Sequence, residues 1–235
     1  MSELAGTLLL SRREVAALLG LDDCIAAVEA AFRAHAEGRA IPPGVLSAAA
    51  DSGAFHVKTA GLTGSEHAYF AAKLNGNFDR NRERFGLPRI QGLVVLCDAA
   101  NGYPLAVMDS TEITVARTGA ATAVAARYLA RPDSAVATIC GCGLQGRVQL
   151  AAVGRVQPIV KAFAFDADQA AAARFAAEQS ARLGIEVVAT DDLAAACRQS
   201  DVCITCTPSR HPLLGAGDVL AGAFVAAVGA DGDDK

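Results

Sequence analysis

Long apolar runs are missing from this sequence: no stretch of about 20 residues is continuously apolar, so no transmembrane helix is expected. Positive charge is not in excess. Twenty-one Lys and Arg stand against 25 Asp and Glu, a net charge of −4, which gives no electrostatic reason to expect nucleic acid or an anionic membrane as partner. The opening MSELAGTLLLSRR does not read as a signal peptide, because it carries Glu3 and too short an apolar run. The four histidines (His35, His56, His67, His211) lack metal-ligand spacing. An odd count of seven cysteines without a secretion signal argues for reduced thiols and a cytoplasmic location. Cys203 and Cys206 do form a CxxC, but inside an expected buried strand, where residues three apart face opposite ways. Buried, inert thiols and no metal are the expectation.

What the chain does have is a generous core. Hydrophobic residues make up 52% and charged residues 20%, in 235 residues, enough for one large domain or two small ones. Ser11 and Glu14 form a capping box ahead of Val15, Leu18 and Leu19, predicting a first helix that Gly20 ends. A second helix is expected from about Asp22 to Glu37, and Ile41-Pro42-Pro43-Gly44 reads as a stop and a turn. Strand patterns follow between about 54 and 109: AFHVKTAG, AYFAAKLNG, QGLVVLCD and PLAVMD, the last two flanking a hairpin signal at Asn101-Gly102. A long helix from about Thr111 to Ala130 then leads into a strict alternation of strands and helices, the pattern of a parallel sheet with crossover helices. The expected fold class is α/β: a Rossmann-type doubly wound parallel sheet over 116–235, with an N-terminal α+β domain over 1–115.

The alternation is organised around VATICGCGLQGRVQL, 136–150. An apolar strand runs into glycines at 141, 143 and 146 and then into a helix starting near Leu144, the form of the dinucleotide-binding fingerprint. Gly141 permits the tight turn, Gly143 lets backbone approach a pyrophosphate, and Gly146 lets the helix pack close to the strand. The helix N-terminus offers free N–H groups to the phosphates. About 25 residues on, the next strand ends in Asp166, an acid suited to a ribose 2′-hydroxyl and repelling a 2′-phosphate. The expectation is NAD rather than NADP; an ordinary βα turn is the alternative.

These residues, together with KLNGN (73–77), GLP (86–88), GYPLAVMDSTEITVARTGAATA (102–123), TCTPSRHP (205–212) and VGADGDDK (228–235), resemble the ornithine cyclodeaminase / mu-crystallin family. The resemblance implies a substrate and dimerisation domain carrying an NAD-binding domain, a homodimer, and hydride exchange at the α-carbon of a small amino or imino acid. Ornithine cyclodeamination to proline and ammonia is the leading expectation. Alanine dehydrogenase or ketimine reductase activity is the alternative within the family, and a non-catalytic, mu-crystallin-like binder or inactive fragment the alternative of another class. Matched to the family's motifs, Lys73 and Arg117 would hold the substrate carboxylate, and Asp231, with Lys73, would be catalytic. A guanidinium fork and a point charge suit a carboxylate. Gly143, Leu144 and Gln145 would form the pyrophosphate loop with Gly141 and Gly146, and Asp166 would take the ribose. Thr118, Thr207, Val228 and Lys235 are further cofactor contacts by the same resemblance. Many relatives have an arginine directly after the paired prolines, where this chain has Gly44, and Lys58 is the nearest residue to supply a second cation. Many also have threonine where Arg89 stands. The family's pattern continues past GADGDDK, so a chain shorter than its complete relatives is expected.

Overall fold

The computed structural model describes residues 6–63 and 67–229. The chain divides into two compact units, Met1–Thr114 and Val115–Lys235.

The first unit is a sheet with helices. In chain order it runs β1 (Leu8–Leu10), α1 (Arg12–Leu18), α2 (Leu21–Ala36), β2 (Ala40–Ala50), β3 (Gly53–Leu62), β4 (Tyr69–Asn77), α3 (Asn81–Phe85), β5 (Ile90–Asp98) and β6 (Pro104–Asp109). The sheet order is β1-β6-β5-β4-β3-β2. Neighbours are antiparallel except β1, which pairs in parallel with β6. The Ser11 capping box forms: its side chain accepts the Glu14 N–H and the Glu14 carboxylate accepts from the Ser11 backbone at 2.8 Å. The Asn101-Gly102 turn closes the β5–β6 hairpin, with Gly102 at φ +79° and the Asp98 carboxylate accepting the Ala100 N–H at 2.8 Å.

One expectation fails here. Ile41 to Gly44 is not a stop and turn but the opening of β2, an 11-residue strand that includes Pro42 and Pro43. The reason is position. β2 is an edge strand, where prolines cost no ladder bond, and the register shifts between Ile41 and Gly44 to accommodate them.

The second unit is entered along α4 (Thr111–Leu129), whose first N–H is accepted by the Asp109 carboxylate at 2.8 Å. Then follow β7 (Val136–Cys140), α5 (Leu144–Val153), β8 (Lys161–Phe165), α6 (Gln169–Leu183), β9 (Glu186–Ala189), α7 (Leu193–Cys197), β10 (Val202–Thr205) and β11 (Phe224–Ala227). All described pairings are parallel, in the order β11-β10-β7-β8-β9. This is the Rossmann order, in which the chain reverses direction across the sheet between its first and fourth strands. The fold is therefore α/β with a doubly wound parallel sheet, as its alternation implied.

Helices cover this sheet and the core is dense. Ile139, Leu150, Phe175 and Ile204 are fully buried, packed among alanines on strands and helices alike. Gly119 lets α4 approach α5, since a Cβ there would meet the Val148 side chain at 2.9 Å. Asp201 fastens the N-terminal end of the sheet: its carboxylate accepts the Ala135 and Val136 N–H groups at 2.9 and 3.0 Å and pairs with Arg131. Burial pushes this carboxyl up, but the two N–H donors and the guanidinium outweigh it and hold its pKa below the usual aspartate value.

Candidate functional site

The glycine loop sits at the C-terminal end of β7, beside the switch point where open α/β sheets bind ligands. Each glycine does what its position demands. Gly141 has φ +106°, in the region open to glycine, and a Cβ there would press on the Cys206 carbonyl at 3.0 Å. At Gly146 a Cβ would lie 2.2 Å from the Gly141 carbonyl, so any side chain would break the turn from the helix. Gly143 is different: nothing lies within 4 Å of where its Cβ would be. It caps α5 without a side-chain hydrogen bond, so no cap side chain satisfies the first N–H groups of the helix. A loop closed on the inside by Gly141 and Gly146 and bare on the outside at Gly143 fits a dinucleotide pyrophosphate. Leu144 is exposed and Gln145 half-buried beside it.

Asp166 follows β8 directly and comes back to this loop. One carboxylate oxygen accepts the Cys142 N–H at 2.8 Å, the other the Asp168 N–H at 3.0 Å. A carboxylate has about four lone-pair sites, so it retains acceptors for a ribose hydroxyl. Arg147 belongs to this neighbourhood too, although the sequence reading passed over it. It donates to the Cys142 carbonyl at 2.7 Å, pairs with Glu178 at 2.5 Å and lies over the Phe175 ring, bracing the loop from behind. The signal available for it was a lone charge in an uncharged loop and helix start. Thr207, next to Gly141, accepts the Ser209 N–H at 3.3 Å. With Thr205, Arg210, His211, Leu213 and Gly229 it lines a cavity of about 360 Å³ off the C-terminal ends of β10 and β11. Val228 packs on the core at the end of β11, and Thr118 is half-buried on α4. Asp231 and Lys235 lie outside the described residues.

Three thiols around the glycine loop are held in the protonated form. Burial, joined by nearby acidic groups, pushes Cys140, Cys142 and Cys206 up to about 12. Protonated thiols are poor nucleophiles and poor ligands. Cys206 gives its Sγ–H to the Cys140 and Gly141 carbonyls, while Cys203 packs with Cys140, Cys197 and Leu193 in a separate cluster. Among the described residues no group of three or more His, Cys, Asp and Glu could hold a metal ion. Nor, among them, is any helix long and apolar enough to cross a membrane.

The cationic candidates divide between the units. Arg117 is in the second turn of α4 and keeps exposed surface, while the protein packed around it lowers its pKa. Lys58 and Lys73 are direct cross-strand partners on β3 and β4, so their side chains leave the same face of the sheet. Lys58 is exposed and Lys73 half-buried. On that face the next row holds His56 opposite Asn75. Asn75 is buried and its Oδ1 accepts the Ser110 hydroxyl at 2.8 Å. Gly44 pairs with Thr59, so a side chain at 44 would leave the opposite face.

Known proteins resemble this chain in sequence and in fold. An alanine dehydrogenase of Archaeoglobus fulgidus is 38% identical over 229 residues, which are 97% of this chain and 69% of that protein. Among solved structures, an archaeal alanine dehydrogenase dimer with bound NAD superposes with a TM-score of 0.91 at 38% identity, over 97% of this chain and 69% of that one. The Δ1-pyrroline-2-carboxylate reductase of Thermococcus litoralis, in complex with NADH and L-proline, gives 0.85 at 36% identity, over 93% and 68%. The sequence profile of the ornithine cyclodeaminase/mu-crystallin family matches residues 6–235, and this chain belongs to that family.

Proposed function

We propose that the chain is an NAD-dependent oxidoreductase acting at the α-carbon of a small amino or imino acid, in the manner of an amino-acid dehydrogenase or imine reductase. The observation that carries this reading is the glycine loop closed at Gly141 and Gly146, open at Gly143 and tied to Asp166. Similarity to an alanine dehydrogenase over nearly the whole chain supports it. Gly141, Gly143, Leu144, Gln145 and Gly146 hold the pyrophosphate and Asp166 the ribose; Thr118, Thr207, Val228 and Lys235 complete the cofactor contacts. When bound, NAD supplies the hydride chemistry: amino acid and NAD⁺ on one side, imino acid, NADH and a proton on the other. The protein's own part is positioning and charge. Lys73 and Arg117 hold the α-carboxylate, and Asp231 takes the proton of the α-amine. The assembly is a homodimer, supported by the dimeric relative.

Ornithine cyclodeamination shares the first hydride transfer and differs in its later steps, attack by the side-chain amine and return of the hydride. The purified chain is to be incubated with NAD and L-alanine, or with NAD and L-ornithine, monitoring absorbance of the reduced nicotinamide alongside ammonia and proline. Net NADH from alanine supports the dehydrogenase. Proline and ammonia without net NADH select the cyclodeaminase. NADH binding with silence on every amino and imino acid would overturn catalysis and leave a binding protein.

A further inference from the structure

Lys58 and Lys73 face each other across the β3–β4 ladder, so two ammonium side chains leave one face of the sheet at directly opposed positions. Their row continues to Val45 on one side and to Val94 and Met108 on the other. The flanking positions on the same face are His56 and Asn75 in one direction and Ala60 and Ala71 in the other. No strand position flanking Lys58 on this face carries a carboxylate. Among the described residues Lys58 has neither an ion pair nor a hydrogen bond, whereas most other basic residues of the first unit are paired: Arg12 with Glu112, Arg39 with Glu37, Arg89 with Asp79. His56 is held by a hydrogen bond between its Nδ1 and the Ser47 hydroxyl at 2.9 Å, leaving Nε2 for another partner. The same face thus gathers two ammonium groups and an oriented imidazole among flanking strand positions that carry no acid.

One substrate carboxylate is already provided for by Lys73 and Arg117 in the proposed function, and the assignment of Lys58 rests on that reading. The structure assigns to Lys58, with His56, the role of a specificity determinant for a second anionic group: the substrate is an α-amino or α-imino dicarboxylate. Lys58 reads the side-chain carboxylate as a point charge, and His56 supplies a directional donor or acceptor beside it. A monocarboxylic amino acid brings no anion to Lys58, whereas a dicarboxylate supplies one.

The test compares reduction by NADH of oxaloacetate with ammonium and of pyruvate with ammonium, and calorimetric binding of succinate against propionate to the NADH-loaded chain. In the wild type the dicarboxylate is expected to be favoured at least tenfold in kcat/KM, and succinate to bind more tightly than propionate. Lys58→Met, at an exposed position that packing does not constrain, is expected to lower the ratio of the two kcat/KM values at least tenfold. Lys58→Arg is expected to keep the preference. A wild-type preference for pyruvate, or a ratio unmoved by Lys58→Met, overturns the inference while leaving hydride transfer intact. Lys58-dependent succinate binding without any turnover would support the inference and sink the proposed reaction instead.

Discussion

The two units bury their apolar residues to different depths. In the second, the central strands β7 and β10 are buried on both faces, and Phe175, Ile139, Leu150 and Ile204 have essentially no solvent contact. In the first, one face of the sheet carries an apolar row that runs straight across four strands, Leu46, Val57, Leu74 and Leu93. Three of its members stay open to solvent, Leu46 at 67%, Leu74 at 45% and Leu93 at 47%. Phe55 and Phe85 lie exposed near it. A closed core stabilises by itself; an open apolar face is completed by something else. The second unit closes its own core, and the first leaves an apolar row open to solvent.

Substitutions can break that contrast, beginning with the strongest. Gly146→Val puts a side chain onto the Gly141 carbonyl; with about 3 kcal/mol of overpacking, NADH affinity by fluorescence titration is expected to fall roughly 100-fold. Leu74→Glu places a charge in the bare row. Sedimentation is expected to show a shift from dimer to monomer, with the thermal transition of the second unit unchanged; a dimer that survives would show that the row is not the contact. Asp201→Asn removes the carboxylate at the N-terminal end of the parallel sheet and is expected to cost about 2 kcal/mol in denaturant unfolding. The sign with pH is definite. A carboxyl whose folded pKa is depressed stabilises above its unfolded value of about 3.9 and loses that contribution as pH falls through the folded pKa. The gap between wild type and variant should therefore be full at pH 7 and close progressively below about pH 4. The smallest effect is at the ribose: Asp166→Ala should weaken NAD about tenfold and narrow its advantage over NADP, with unchanged cofactor preference removing that assignment.

The second unit was legible because its signals are local. Apolar runs, helix caps and three glycines at fixed offsets each act within a few residues, and from Val136 to Val228 the expected strands and helices form where their residues suggest. The first unit was legible only in part. β2 passes through Pro42 and Pro43 because it lies at an edge, and an edge is a property of the assembled sheet. β1 is three residues long and owes its existence to β6. The site shows the same division. Asp166 could be picked out by spacing, but its bond to the Cys142 N–H could not, since neither residue carries a signal for the other. That Lys58 and Lys73 share a face depends on the β3–β4 register, which the residues between them do not disclose.

The bond between Asp166 and the Cys142 N–H has a consequence for how cofactor preference can change in descent. The group that the proposed function assigns to the ribose also accepts the Cys142 N–H of the glycine turn. A mutation that admits a 2′-phosphate by deleting the acid loosens the turn in the same stroke, so a one-step path to NADP passes through a poorer binder of both cofactors. A path through asparagine avoids that valley, because its amide oxygen can keep the clasp while the charge is lost. On the proposed assignment, cofactor preference at this loop is tied to the mechanics of the turn as much as to charge.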